Sequence, residues 1–272
     1  MIDKIIDFHT HTFPEKIVEK AIAKLSASSG IKPALNGTAS DLSKSTIENN
    51  IFLSVVMPVA TSAKQVESIN NSVVEINKHT NKTHLLSFGA IHPDCENYKE
   101  ILKNLVLNGV KGIKIHPVYQ QVKIDDKRFL RIIEEASSLG LIITTHAGED
   151  ISFPGENFAS PKQIKNVIDL IHPKKFILAH MGGWNNWEDV SSYLINEDVF
   201  FDTAFTCLKY DNLTKEQFIS LIKNIGFNKI LFGTDSPWSS QKQSIELIKS
   251  LEFNDIELNQ IFYKNAEKLL KL

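Results

Sequence analysis

Short runs of β-branched and aromatic residues recur along this chain, and a segment with helical periodicity separates each run from the next. Eight such strand-like runs occupy residues 4–9, 51–57, 85–91, 110–115, 141–146, 175–180, 199–203 and 229–235. Eight strands alternating with helices in 272 residues predict an α/β protein with a single (β/α)8 (TIM) barrel domain over residues 1–272. A doubly wound open sheet is the alternative, but no Gly-x-Gly-x-x-Gly motif follows an early strand.

Two connections are longer than a simple barrel needs. Residues 12–50 contain two predicted helices, 15–25 and 41–49, and residues 147–161 form a predicted loop because they are rich in glycine and proline. Both connections leave the carboxyl end of a strand, where barrel enzymes place their active sites. We therefore expect these extended βα loops, together with the loop at 182–189, to set substrate specificity. Residues 255–272 are predicted to form one closing helix.

Charge and hydropathy exclude several classes of protein. The 30 basic and 32 acidic residues leave no basic excess, which argues against nucleic-acid binding. No apolar run approaches the ~18 residues that a membrane span needs, and the first residues contain acids where a signal peptide needs basic and then apolar residues. Cys95 and Cys207 form no metal or redox motif. We expect a cytoplasmic protein with a small-molecule substrate, and the composition is compatible with a homo-oligomer.

Six of the nine histidines stand at or just beyond the carboxyl end of a predicted strand: His9, His11, His92, His116, His146 and His180. Because alternate residues of a strand point to opposite faces, His9 and His11 share a face. The same alternation predicts that Ile6 and Phe8 point outward under the helices and that Asp7 points to the barrel axis. Asp7 is then expected to orient a ligand imidazole through its other nitrogen.

By the same alternation, His146 and Asp235 point to the axis, while their neighbours Thr145 and Thr234 point outward. Imidazole nitrogens and a carboxylate converging on one point are a ligand set for a borderline divalent ion such as Zn2+. Three histidines with Asp235 would leave one position open for water, which is typical of a catalytic site. A core histidine with its hydrogen bonds satisfied would explain a single inward ring. Four rings at the same rim, those of His9, His11, His146 and His180, together with Asp235 favour a metal site.

Several segments resemble motifs of the amidohydrolase superfamily. IDFHTHTFP at 6–14 resembles its metal-binding opening, and GVKGIKIHP at 109–117 resembles the fourth-strand motif of its amidohydrolase-related branch. LAHMGG at 178–183 and FGTDSP at 232–237 are similar to the sixth- and eighth-strand motifs, and YKNAEKLL at 263–270 is similar to the last helix. The motifs occur in the family's order and cover nearly the whole chain.

The resemblance implies a metal-dependent barrel enzyme whose relatives hydrolyse amides, esters and lactones or decarboxylate aromatic and related acids. It implies that one divalent metal is bound by His9, His11, His146 and Asp235. We expect this metal to be Zn2+. The resemblance also implies that His180 acts on the substrate as a catalytic residue.

Lys114 is predicted to point inward, between Ile113 and Ile115, which pack outward. In some branches of the superfamily a carbamylated lysine on this strand bridges two metals, and His180 would then bind the second metal. An unmodified ammonium that binds a substrate anion is the reading we favour. A lysine that only forms a salt bridge with Asp7 or another barrel acid is the third alternative.

Three further residues are predicted to contact substrate: His116, Trp184 and Trp238. His116 begins a loop at the mouth of the barrel, and the two tryptophans follow strands six and eight, where they can form a wall against a planar substrate. Hydrogen bonds within the loop are the alternative for His116, and ordinary loop packing is the alternative for the tryptophans.

The function expected from these residues is metal-dependent hydrolysis of a small-molecule amide, ester or lactone by a metal-activated water. Asp235 would act as the general base, and His180 would hydrogen-bond the carbonyl oxygen. The alternative is non-oxidative decarboxylation of an aromatic or related carboxylic acid on the same metal site. A barrel that only binds a ligand is a third reading, against which an open-coordination metal site and a general base both count.

Overall fold

The structure is a computed structural model that describes residues 4–207 and 212–272, and these residues form eight parallel strands that alternate with helices. The strands are β1 (Ile6–Thr10), β2 (Leu53–Val56), β3 (Leu85–Ser87 and Gly89–Ala90), β4 (Gly112–Ile115), β5 (Ile142–Thr145), β6 (Phe176–Leu178), β7 (Phe200–Asp202) and β8 (Ile230–Leu231). Strands pair in sequence order, with one break between the two segments of β3. The Phe8 N–H donates to Phe232 O (2.7 Å) and the Asp235 N–H to His9 O (2.8 Å), which joins β8 to β1. The predicted TIM barrel is confirmed.

Helices form the outer layer and part of the mouth of the barrel. They are α1 (Val18–Ser29), α2 (Ala39–Glu48), α3 (Val66–Lys78), α4 (Thr80–Thr83), α5 (Tyr98–Leu107), α6 (Pro117–Gln120), α7 (Lys127–Ser138), α8 (Pro161–Ile171), α9 (Trp187–Tyr193), α10 (Lys215–Ile225), α11 (Gln241–Lys249), α12 (Asp255–Asn259) and α13 (Asn265–Leu270). A π-helical turn, Gln260–Lys264, joins α12 to α13, so the predicted closing helix is nearly continuous. Among the described residues, no helix is both long and apolar enough to span a membrane.

Local sequence explains where these helices begin and which face they bury. In α7, Phe129, Ile132, Ile133 and Ala136 are buried, and their spacing of three and four residues forms one apolar stripe against the barrel. The N-cap residue Asp126 accepts a hydrogen bond from the Arg128 N–H (2.9 Å), which satisfies a backbone donor at the start of the helix. Complete capping boxes begin α8, α10 and α12.

The amino-terminal half of the barrel interior is apolar. Side chains from five strands and from the C-terminal helix form one buried cluster, which includes Ile6, Phe8, Phe88, Ile142, Ile177, Leu231, Ala266, Leu269 and Leu270. This cluster closes the lower end of the barrel. Polar side chains therefore remain inside the barrel only towards the carboxyl ends of the strands.

The orientation predicted for the first residues of β1 is wrong. Phe8 lies inside the barrel, with its ring edge-on to Phe88 at a centroid distance of 5.7 Å. Asp7 points outward instead, where its carboxylate accepts hydrogen bonds from the Thr234 hydroxyl (2.7 Å) and the Gln241 amide of α11 (2.8 Å). The register of β1 shifts between Asp7 and Thr10, so two consecutive residues, Phe8 and His9, both reach the interior. Asp7 therefore cannot orient an imidazole as expected.

Candidate functional site

A cavity of about 720 Å³ opens at the carboxyl ends of the strands. All of the residues predicted to form the site line it: His9, His11, Lys114, His116, His146, His180, Trp184, Asp235 and Trp238. The extended loop after β1 and helix α1 supply apolar walls, among them Phe13, Ala21 and Leu25. The site is therefore built at the end of the barrel that the sequence indicated.

His9, His11 and Asp235 form a compact group in this cavity. His9 Nε2 is 3.1 Å from His11 Nε2, and Asp235 Oδ1 is 3.0 Å from His11 Nε2 and 3.6 Å from His9 Nε2. The three potential ligand atoms all lie within 4.8 Å of one another. One ion can contact all three atoms.

The opposite nitrogen of each ring is held by an acceptor. The Nδ1–H of His9 donates to Asp202 Oδ2 (2.7 Å), and the Nδ1–H of His11 donates to Met57 O (2.7 Å). A carboxylate or a carbonyl oxygen can only accept, so both Nδ1 atoms carry protons, and in the neutral ring Nε2 keeps its lone pair. Two imidazole lone pairs and a carboxylate oxygen thus converge on one point, and these donors suit a divalent transition metal.

The protonation states agree with this donor set. Burial lowers the pKa of His9 well below its usual range, and the positive charge of Lys114 lowers it further. Desolvation opposes ionisation of Asp235, but the neighbouring imidazoles of His11, His9 and His180 outweigh it and bring the pKa of Asp235 to about 2. A neutral imidazole and an ionised carboxylate are the forms that bind metal ions.

His146 is not part of this compact group. Its Nδ1 is 3.1 Å from His180 Nε2, and its Nε2–H donates to Glu149 O (3.0 Å). Its ring stacks on that of His116, with a centroid distance of 4.2 Å and an interplanar angle of 15°. His116, His146 and Asp150 form a second group of three potential ligands within 4.8 Å. The inward orientation of His146 is confirmed, but its assignment as a metal ligand stays a prediction.

Lys114 points inward, as predicted, and only 1% of its surface is exposed. Its Nζ lies 3.3 Å from His9 Nε2. Burial lowers the pKa of Lys114 to about 8, although the charges of Asp202, Asp235 and Asp150 favour the ammonium. Ile113 and Ile115 pack outward in the apolar layer, which agrees with the alternation. A cationic side chain thus borders the compact group from inside the barrel.

His180 and Asp235 both stand in strained backbone at the ends of their strands. Their φ angles are 55° and 64°, in the left-handed region that non-glycine residues enter at a cost of ~1–3 kcal/mol. The Nδ1–H of His180 donates to Ala204 O (2.8 Å), which leaves Nε2 towards the cavity. Such strain persists where surrounding contacts impose it, and it is concentrated at functional sites.

The sequence prediction missed Asp202, the last residue of β7. Its carboxylate is fully buried and contacts both His9 and the backbone of His180. A signal for it exists in the segment VFFDTA, where a carboxylate ends an apolar strand at the same rim as the histidines. Strand seven was the one late strand to which no inward polar residue was assigned.

Trp184, Phe205 and Trp238 line the cavity, and the substrate contact assigned to the two tryptophans stays a prediction. Trp184 and Phe205 are buried together with Ile31, and Trp238 packs against this cluster. The ring centroids of Trp184 and Phe205 are 6.5 Å apart. His116 is also at the mouth, where its Nδ1 accepts the Tyr119 N–H (3.4 Å) and its Nε2 is 3.7 Å from Asp150 Oδ2.

Solved structures with the same fold were found by comparison. A 5-carboxyvanillate decarboxylase from Novosphingobium aromaticivorans, complexed with manganese and 4-hydroxy-3-methoxy-5-nitrobenzoic acid, is 12% identical with a TM-score of 0.73, covering 99% of this chain and 96% of that chain. A probable 2-pyrone-4,6-dicarboxylic acid hydrolase from Acinetobacter baumannii is 15% identical with a TM-score of 0.69, and the match covers 99% of this chain and 100% of that chain. A 2,6-dihydroxybenzoate decarboxylase from Rhizobium is 15% identical with a TM-score of 0.70, covering 98% of both chains.

These identities are low, so the three likenesses show the fold alone. No curated protein sequence matched the chain. The amidohydrolase family model, in contrast, matches residues 6–272, which is nearly the full length and includes every motif noted in the sequence. The chain therefore belongs to the amidohydrolase family of enzymes.

Proposed function

We propose that the chain is a metal-dependent decarboxylase that releases CO2, without oxidation, from an aromatic or related carboxylic acid. The observation that carries this proposal is the buried ammonium of Lys114, 3.3 Å from His9 Nε2, because it borders the compact group where a substrate carboxylate can be neutralised. The two decarboxylases among the compared structures support the same reaction. Hydrolysis, which the sequence favoured, becomes the second candidate.

A divalent metal is expected for this family. In the proposal, His9, His11 and Asp235 would hold the ion, and His146 would supply a fourth ligand through its Nδ1 lone pair. The donor set fits Zn2+, while the Novosphingobium enzyme was solved with manganese, so Mn2+ is the alternative ion. When bound, the ion supplies a Lewis acid that holds oxygen atoms of the substrate.

Asp235 moves the proton in the proposed reaction. Its pKa of about 2 leaves it ionised in the free chain, so the proton must arrive with the substrate. A hydroxyl group next to the carboxylate gives its proton to Asp235, and Asp235 delivers it to the carbon that loses CO2. The electron pair of the broken C–C bond stays on the ring, the product leaves as a phenolate, and water reprotonates it. The net change is replacement of the carboxylate by hydrogen.

The remaining residues orient the substrate. In the proposal, Lys114 binds the anionic group of the substrate, and the Nε2 atom of His180 contacts the reacting end; both side chains line the cavity. Trp184, Phe205 and Trp238 provide an apolar wall on which a planar ring can pack. A cavity of about 720 Å³ is large enough for a substituted aromatic acid.

Hydrolysis of a lactone, amide or ester is the second candidate because it uses the same side chains. The solved structure of a probable 2-pyrone-4,6-dicarboxylic acid hydrolase, which covers this chain almost end to end, supports this candidate. In that reaction Asp235 would take a proton from the water that adds to the carbonyl carbon and would then deliver it to the leaving amine or alcohol. His180 would donate to the carbonyl oxygen only as the protonated ring, because its Nδ1–H already donates to Ala204 O. The two candidates differ in whether CO2 is a product.

The test is metal analysis followed by product analysis. Purified protein prepared without chelators is expected to contain about one divalent metal per chain. The metal-loaded protein is then assayed with 2,6-dihydroxybenzoate and 5-carboxyvanillate for CO2, and with 2-pyrone-4,6-dicarboxylate for ring opening. CO2 release supports the proposal, and ring opening without CO2 from any acid replaces it with hydrolysis. Protein that neither contains nor takes up Zn2+ or Mn2+ would contradict the metal site.

A further inference from the structure

Asp202 joins two parts of the site through its two carboxylate oxygens. Oδ2 accepts the Nδ1–H of His9 at 2.7 Å. Oδ1 accepts the backbone N–H groups of His180 (2.9 Å) and Ala204 (3.1 Å). One residue at the end of β7 thus contacts β1 and the turn after β6.

Burying the Asp202 carboxylate is energetically unfavourable. Asp202 has no solvent exposure, and placing an ion in a protein interior costs several kcal/mol unless hydrogen bonds and opposite charges compensate. Desolvation raises the pKa of Asp202, and its hydrogen bonds offset that cost only in part. All three hydrogen bonds go to the site or its supporting turn, and none goes to the helix layer. A role in stability alone does not account for this choice of partners.

We infer that Asp202 is a positioning residue for the metal site: it fixes the tautomer of His9 so that Nε2 keeps its lone pair, and it holds the turn that carries His180. The inference rests on the proposed function in one respect, since a metal must bind for the His9 lone pair to matter. It concerns how the chain prepares the site and does not depend on whether the reaction is decarboxylation or hydrolysis.

The Asp202→Asn variant tests this inference directly, because the asparagine amide has an oxygen that accepts hydrogen bonds and an NH2 group that donates them. The two backbone N–H groups require an acceptor, so the amide oxygen takes the place of Oδ1. The amide NH2 then faces His9 Nδ1 and needs an acceptor there, which moves the His9 proton to Nε2. A protonated Nε2 cannot bind a metal. Asp202→Ala, in contrast, leaves both tautomers of His9 available.

The inference therefore predicts an unusual order of metal affinities. Asp202→Asn is nearly isosteric but should bind Zn2+ more weakly than Asp202→Ala, with a loss of ~10–100-fold relative to the wild type. A merely structural role predicts the reverse order, because alanine leaves a hole and unpaired donors. Asp7→Asn is the matched control: Asp7 is equally buried on the barrel wall, and its carboxylate accepts the backbone N–H groups of His9 and Thr234 and the side-chain donors of Thr234 and Gln241, but it contacts no imidazole nitrogen. We expect it to lower the melting temperature and leave Zn2+ affinity unchanged.

The experiment measures Zn2+ affinity by competition with a chromogenic chelator, for the wild type and the three variants. Nitrogen-15 NMR of labelled histidine reports the His9 tautomer directly, and the wild type should carry its proton on Nδ1. A wild-type His9 protonated on Nε2 would overturn the inference without any variant, so a failure of Asp202→Asn to fold does not remove the test. Asp202→Asn binding Zn2+ as tightly as the wild type would overturn this inference alone. A wild type that binds neither Zn2+ nor Mn2+ would overturn the proposed metal site as well.

Discussion

His146 Nδ1 and His180 Nε2 face each other at 3.1 Å, and the other nitrogen of each ring donates to a carbonyl oxygen, Glu149 O or Ala204 O. In neutral rings two lone pairs would therefore point at each other, which is repulsive. A proton or a metal ion between or beside them removes the repulsion. A site with one metal and a site with two metals therefore differ in what lies between these two rings: His180 binds a second metal only in the site with two.

His180→Ala distinguishes the two cases. With one metal, bound by His9, His11, His146 and Asp235, the variant should keep about one equivalent of metal and lose turnover, because the group that acts on the substrate is gone. Elemental analysis beside a rate measurement checks this. Loss of a second equivalent of metal would contradict the single-metal site and would make His180 a ligand.

Asp235→Asn should separate proton transfer from metal binding. The amide oxygen can still coordinate weakly beside His9 and His11, so much of the metal should remain, while turnover should fall by ~10²–10⁴-fold because the proton carrier is lost. His9→Ala is the comparison variant, since it removes an imidazole ligand and should abolish metal and activity together. Near wild-type turnover of Asp235→Asn would refute its catalytic role.

Lys114→Met tests the anion site. Methionine nearly matches the lysine stem in length but carries no charge, so the KM of an acid substrate should rise by ~10- to 100-fold, equivalent to about 1.5–3 kcal/mol for a charged hydrogen bond. Metal content should be unchanged, and so should the binding of a neutral aromatic analogue, measured by calorimetry. Loss of metal from this variant would instead indicate a modified lysine that bridges two ions.

Gly148→Ala tests the contact between the loops that follow β5 and β6. Gly148 has φ 86°, and a Cβ atom there would lie 2.3 Å from Trp184 N and 2.5 Å from Trp184 O. The alanine must push the loops apart, at a cost of about 1–3 kcal/mol in the free energy of unfolding, and should displace His146 and Asp150. The melting temperature and the rate should both fall.

Gly155→Ala is the matched control for that prediction. Gly155 lies in the same loop at φ 81°, but nothing lies within 4 Å of its added Cβ. Gly155→Ala therefore introduces the same backbone strain as Gly148→Ala but no steric clash with Trp184. Equal effects of the two substitutions would show that the contact with Trp184 is unimportant.

The order of strands and helices in the amino-acid sequence predicted the barrel and the end at which the site lies. Eight alternating strands and helices leave few arrangements that bury every apolar face, and parallel strands bring their carboxyl ends to one rim. His11, Lys114, His146 and Asp235 could be assigned to the cavity because strand alternation is a local property. No long-range information is needed to count residues along a strand.

Features that depend on partners far along the chain could be seen only in the folded barrel. The shifted register of β1, which reversed Asp7 and Phe8, arises where β1 pairs with β2. The bond between Asp202 and His9 joins residues 193 positions apart, and the stacking of His146 on His116 depends on the path of the loops after β4 and β5. Local sequence sets backbone preferences and the faces of strands, whereas hydrogen-bond partners and ring tautomers follow only from which atoms the closed barrel brings within about 3 Å.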